Sequence, residues 1–110
     1  MYTKKFDESN FSTEVLASKE PVLVDIYADW CGPCRLLSPT VEEIAREIGE
    51  NNHDERKVGK LNADENPNLT ARYEVSSIPT LLLFKEGRVI GRMIGNHSKK
   101  SILEFMQSAN

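Results

Sequence analysis

The chain carries two cysteines, and they sit together as Cys31-Gly32-Pro33-Cys34. Thiols so placed have three ordinary uses: a structural cross-link, a metal site, or reversible disulfide exchange. A structural cross-link usually joins distant segments, and a loop this small constrains little chain entropy. In a reducing compartment such a pair is redox-active or metal-binding. A second chemical group precedes it. Asp25 interrupts the apolar run Val22-Leu23-Val24-Asp25-Ile26-Tyr27. An unpaired charge is costly to bury, so burial should raise the pKa of Asp25 and make it a usable base near neutral pH. Lys60, on a later strand candidate, is expected near it, where its charge opposes that rise. The alternative reading makes Asp25 a structural buried acid paired with Lys60.

The elements that must position these groups alternate helix and strand. Asp7 or Ser9 is a candidate cap for a short helix bearing Phe11, Val15 and Leu16. Residues 22–28 read as a central strand buried on both faces. From Cys34 the period turns helical. Leu37, Val41, Ile44, Ala45 and Ile48 recur on one side, the helix ends near Gly49, and Pro39 is expected to kink it. Residues 49–57 are polar and read as an exposed loop. Residues 58–63 form a weaker strand candidate. Asn66-Pro67 then signals a helix start, with Asn66 as N-cap and Pro67 in the first helical position, running to about Tyr73. Residues 80–85 and 89–94 are two further strands. Glu86-Gly87 joins them as a hairpin turn, so they should be antiparallel. Ser98 caps a last helix whose apolar side carries Ile102, Leu103, Phe105 and Met106. The order α-β-α-β-α-β-β-α contains a βαβ crossover, which implies parallel strands, and a late antiparallel pair. This is an α/β pattern. No repeat or linker divides it, so one domain over 1–110 is expected.

The cysteine pair falls where a buried strand ends and a helix begins. Reaction sites in open α/β sheets lie beyond the carboxyl ends of strands. The first N–H groups of a helix lack intrahelical partners, and the helix dipole adds roughly half a positive charge there. Both effects stabilise a thiolate on Cys31. Residues i and i+3 share a helix face, so the Cys34 sulfur should lie within bonding range, one turn deeper. Cys31, at the open end, would attack a substrate disulfide and form a mixed disulfide. Cys34 would then attack Cys31 and release the reduced substrate, with Asp25 accepting its proton. Gly32 lets a partner chain come close. Pro33 fixes φ where its missing N–H would be orphaned anyway.

Composition narrows the partners. The 110 residues are 39% hydrophobic and 28% charged, as in an ordinary globular chain, with a formal net charge of -3. Without a basic excess a nucleic-acid partner is not expected. The longest apolar run, 81–84, is far shorter than the ~20 residues a membrane span needs, so no membrane partner is expected either. No apolar stretch follows Lys4 and Lys5 as in a secretory signal, which gives a cytoplasmic expectation. A structural zinc site wants about four ligands. Beyond its two cysteines the chain offers only His53 and His97, far away, so no metal is expected. No nucleotide-binding motif is present.

Taken together, several landmarks resemble the thioredoxin family over essentially the whole chain. They are Asp25, Ala28-Asp29-Trp30-Cys31-Gly32-Pro33-Cys34-Arg35, Pro39, Asp64 through Pro67, Ile78-Pro79-Thr80, Gly87 and Gly95. A Cys-x-x-Cys alone is a weak signal. Trp-Cys-Gly-Pro-Cys after a buried strand, with Ile-Pro-Thr opening a later one, is a strong one. The resemblance implies a thioredoxin fold, a central mixed sheet of parallel strands plus an antiparallel hairpin, flanked by helices. It implies a protein-disulfide reductase whose only redox group is the Cys31–Cys34 disulfide, with no bound cofactor. Its partners would be disulfide-containing proteins and a thioredoxin reductase that carries any NADPH. It further implies that Pro79 follows a cis peptide bond beside Cys31. The backbone of Ser77 and Ile78 would then receive an extended substrate segment in the manner of strand addition. Trp30, Gly32, Pro33, Ser77, Ile78 and Gly95 would form the docking rim, and a monomer is expected.

This sequence departs from the family's pattern at three places. Tyr27 stands where the family often has Trp, Ser77 where Gly is common, and the loop around 51–57 is longer than expected. His53, His97 and residues 54–57 read as solvated. The competing readings are a redox-silent binding module, a metal protein, and a disulfide oxidase or isomerase. The last would carry a different central dipeptide, as would a glutaredoxin-like enzyme.

Overall fold

Strand β2 (Val22–Tyr27) is apolar on both faces except at Asp25, and it occupies the middle of a five-stranded sheet. The sheet order is β1-β3-β2-β4-β5, where β1 is Lys4–Phe6, β3 Lys57–Asn62, β4 Thr80–Lys85 and β5 Arg88–Ile94. β2 runs parallel to β3 and antiparallel to β4. β1 adds a parallel strand beyond β3, and β5 closes the other edge as an antiparallel hairpin with β4. The expected mixed sheet flanked by helices is therefore present. This computed structural model describes residues 1–109; the last residue of the expected 1–110 span lies outside the described residues.

Helices α1 (Gly32–Glu50) and α3 (Lys99–Gln107) cover one face. Their apolar stripes, with Leu37, Val41, Ile44, Ile102 and Met106, pack on Leu23, Leu81 and Leu83 of the sheet. A π-helical turn (Ser12–Leu16) lies on the opposite face, where Phe6, Phe11, Ile26, Leu82, Phe84 and Leu69 of helix α2 (Pro67–Arg72) gather. Phe11 meets Phe84 edge-on at 5.5 Å between centroids. Each large side chain buried this way contributes about 1.5–3 kcal/mol. Two cores thus clamp β2, which fixes where its carboxyl end, and so the cysteine pair, can lie. Among the described residues no helix is long and apolar enough to cross a membrane.

Several local features differ from the sequence reading. β1 is an additional strand. It exists because Gly59 has no side chain; a Cβ there would collide with the Phe6 ring and lie 2.8 Å from the Lys4 carbonyl oxygen. The expected first helix is a single π-helical turn. Neither Asp7 nor Ser9 caps it: Phe11 holds the N-cap position with no side-chain cap, and Asp7 closes the preceding turn, its Oδ1 accepting the N–H groups of Ser9 and Asn10 at 2.9 and 3.0 Å. Asn66 occupies the N-cap position of α2 but makes no side-chain cap. Its Oδ1 accepts the Glu8 N–H and its Nδ2 donates to the Asn62 carbonyl, both at 3.0 Å. β3 and β5 each begin one residue early, at Lys57 and Arg88. Elsewhere the local chemistry acts as expected. Ser98 Oγ accepts the Ser101 N–H at 3.1 Å, and the hairpin turn places Glu86 and Gly87 at φ 52 and 80. Pro39, the expected kink position, lies inside α1, which is unbroken from Gly32 to Glu50.

Candidate active site

β2 delivers the chain to Ala28, and the next residues turn into α1 with Cys31 as its N-cap, in extended backbone at φ -85 and ψ 114. Cys31 and Cys34 form a disulfide with 5.2 Å between their Cα atoms. The Cys34 N–H donates to Cys31 Sγ at 3.2 Å. A sulfur therefore stands where a capping oxygen usually accepts the orphan N–H of a first helical turn. When the disulfide opens, a thiolate on Cys31 keeps that N–H and the positive end of the α1 dipole.

Residue exposure does not separate the two cysteines, where Cys31 was expected to be the open one. Cys31 is 4% exposed and Cys34 3%. Ala28 is buried with them, and Tyr27 and Ile78 pack against the cluster. What distinguishes Cys31 is its capping position. Its Sγ lies 3.7 Å from the Ile78 carbonyl oxygen, and the Ile78–Pro79 peptide bond is cis, as the resemblance implied. Ser77 is exposed beside it. The Pro79 carbonyl accepts the Gly95 N–H at 2.9 Å, which brings Gly95 to the same rim. Neither Gly32 nor Gly95 has any atom within 4 Å of where a Cβ would stand, so both leave open space for an approaching chain.

Asp25 is 1% exposed, and its Oδ1 has no hydrogen-bond partner. Burial pushes its carboxyl from 3.8 up to about 6, with the charge of Lys60 opposing. Asp25 pairs in register with Lys60 on β3 and Leu81 on β4. By strand alternation it shares the sheet face of Leu23, which is the face α1 covers. The expected proximity of Lys60 is present, but no ion pair joins it to Asp25 among the described residues. The Lys60 ammonium instead donates to Ser38 Oγ at 2.9 Å and stands 4.4 Å from the centre of the Tyr27 ring.

Around the disulfide, Trp30 is 67% exposed, and its Nε1 donates to Asp64 Oδ2 at 2.8 Å. Leu36 and Ile94 are exposed apolar residues of the same end of the molecule, Leu36 two residues past Cys34 and Ile94 opposite Thr80 in register. The sequence reading missed Ser38, Leu36 and Ile94 as contributors, and it had Asp64 only as a family landmark without a site role. Leu36 had a signal, since it falls off the buried stripe of α1. Ser38 lies one helical turn beyond Cys34 on the same side. His97 is not a free loop residue, because its Nε2 lies 2.8 Å from the Ile94 carbonyl oxygen. Arg56 and Asp54 form a half-buried ion pair at 2.6 Å within the loop that was read as solvated. No group of three or more potential metal ligands occurs among the described residues.

The family model described as Thioredoxin matches residues 2–108. The chain belongs to the thioredoxin family. A thioredoxin of Acidithiobacillus ferridurans is 46% identical over 101 residues, covering 92% of this chain and 90% of that protein. One from Rickettsia felis is 44% identical over 102 residues, 93% of each chain. One from Mycobacterium bovis is 44% identical over 101 residues, 92% of this chain and 84% of the relative. This thioredoxin-family chain is a thiol–disulfide oxidoreductase, and its redox group is the Cys31–Cys34 disulfide.

Proposed function

We infer that the chain, acting as a single-domain monomer in the cytoplasm, reduces disulfides in other proteins by a two-step exchange and is restored by a thioredoxin reductase. The observation that carries this reading is the Cys34 N–H aimed at Cys31 Sγ, 3.2 Å away, at the start of α1. In the reduced protein the Cys31 thiolate attacks one sulfur of a substrate disulfide. The substrate S–S bond breaks, its second sulfur leaves as a thiolate, and a mixed disulfide with Cys31 forms. The Asp25 carboxylate accepts the Cys34 proton. The Cys34 thiolate then attacks Cys31 Sγ and expels the remaining substrate sulfur. Two electrons pass to the substrate, and the Cys31–Cys34 disulfide closes. The reductase returns two electrons to that disulfide. Lys60 tunes Asp25, and Pro79 sets the backbone of Ser77 and Ile78 against the reacting sulfur. Trp30, Gly32, Pro33 and Gly95 complete the docking rim, with Leu36 and Ile94 as apolar contacts.

The test is Cys34→Ser. The variant keeps the attacking thiolate and lacks the resolving one, so it accumulates mixed disulfides through Cys31 with a disulfide-containing protein. Absence of adducts in Cys34→Ser, or adducts carried by Cys34 in Cys31→Ser, would count against this division of labour.

A further inference from the structure

The charge of Lys60 opposes the rise of the Asp25 carboxyl, yet its ammonium is held elsewhere. Strand register places the two side by side on the face under α1. An ammonium beside a buried, unpartnered carboxylate oxygen would ordinarily close on it, because an unpaired buried acceptor is costly. Two contacts hold the ammonium off. One is Ser38 Oγ at 2.9 Å; the other is the face of Tyr27, 4.4 Å below. Ser38 follows Cys34 by one helical turn, and both line an open cavity of about 150 Å³ together with Tyr27, Asp29, Arg35 and Lys60. The same helix face thus carries the resolving sulfur and the hydroxyl that anchors the lysine.

We propose that Ser38 is a positioning residue: its hydroxyl, with the Tyr27 ring, holds the Lys60 ammonium away from Asp25 and keeps that carboxylate free to take a proton from Cys34. The inference rests on the reading of Asp25 as the proton acceptor. A closed Lys60–Asp25 ion pair would make the carboxylate a weaker base, because a hydrogen-bonded cation favours its ionised form. The other charged groups that face Lys60 stay fixed in the comparison. Asp29 and Arg35 border the cavity at the end of β2 and on α1, and Lys4 and Lys5 line a second cavity with Lys60 on the β1 side. From β4, Asp25 meets only Leu81 in register.

The experiment titrates the Asp25 carboxyl by carbon NMR in the oxidised protein, where neither cysteine titrates and no turnover is involved. Ser38→Ala, a substitution that a helix tolerates well, is expected to lower the midpoint by about one pH unit or more, the low end of the effect of a close opposite charge. Ser38→Thr, which keeps the hydroxyl, leaves the midpoint near wild type. Lys60→Gln raises it, and adding Ser38→Ala to Lys60→Gln moves it no further. A midpoint that stays or rises in Ser38→Ala overturns the proposal, as does a fall that persists without Lys60. Single-turnover kinetics on the same variants examine the underlying reading separately. If Asp25 is the acceptor, Ser38→Ala slows resolution of the mixed disulfide near neutral pH and leaves the first attack unchanged. A carboxyl midpoint that falls with no change in resolution would support the positioning by Ser38 and remove Asp25 from the reaction.

Discussion

Replacing Asp25 by Ala should make the folded protein more stable at neutral pH than at acid pH, relative to wild type. The carboxyl is 1% exposed with an unpartnered oxygen, and burial raises it from 3.8 to about 6 in the folded state. A folded value above the unfolded one means that the native state holds more protons between those two pH values. Wild-type stability therefore falls as pH rises through that window, and the penalty is complete above it. A rise from 3.8 to about 6 corresponds to about 3 kcal/mol, at ~1.36 kcal/mol per pH unit. Asp25→Ala has no such group, so its advantage over wild type should grow by about 3 kcal/mol between pH ~3.5 and ~7.5. In thermal melts that is a difference of more than about 10 °C for a domain of this size. Loss of packing in the small space left by the side chain is the same at every pH and shifts only the baseline. The assay is urea unfolding of both oxidised proteins across that range. A stability difference that is flat with pH would show that Asp25 titrates like a solvated carboxylate, and the argument for its role as a tuned base would fail.

Two further outcomes probe the framework that holds the site. Gly59→Ala puts a methyl group against the Phe6 ring and 2.8 Å from the Lys4 carbonyl oxygen. It should cost about 1–3 kcal/mol by overpacking, with loss of amide protection concentrated in β1 by hydrogen exchange. Ser98→Ala removes the 3.1 Å cap on the Ser101 N–H. It should cost about 1 kcal/mol in denaturant melts and leave the cysteine chemistry untouched; a change in exchange rate would mean that α3 is coupled to the site.

Elements whose cause is local were legible in the sequence. β4 lies between Pro79 and the Glu86-Gly87 turn, and its bounds follow from those breakers and the run Leu81 to Phe84. The stripe Leu37, Val41, Ile44, Ile48 gave α1, and Ser98 gave the start of α3. Features caused by distant chain were not. β1 is three residues, two of them exposed lysines, and it depends on the gap at Gly59. Asn66 looks like a cap in its own segment, but its side chain is drawn to the Glu8 N–H, 58 residues away. Ile78 packs against the buried Cys31 and Cys34, and no local pattern links it to them. At the site, Asp25 stood out because a carboxylate is anomalous in an apolar strand. Ser38 did not, because a serine on a partly polar helix face is unremarkable until Lys60 is found against it.

The most direct measurement is the equilibrium reduction potential of the Cys31–Cys34 pair. The account predicts a value of about -270 mV, which is the figure known for thioredoxin itself and suits a reductant of protein disulfides. A value between about -180 and -120 mV would mark an isomerase or oxidase and contradict it.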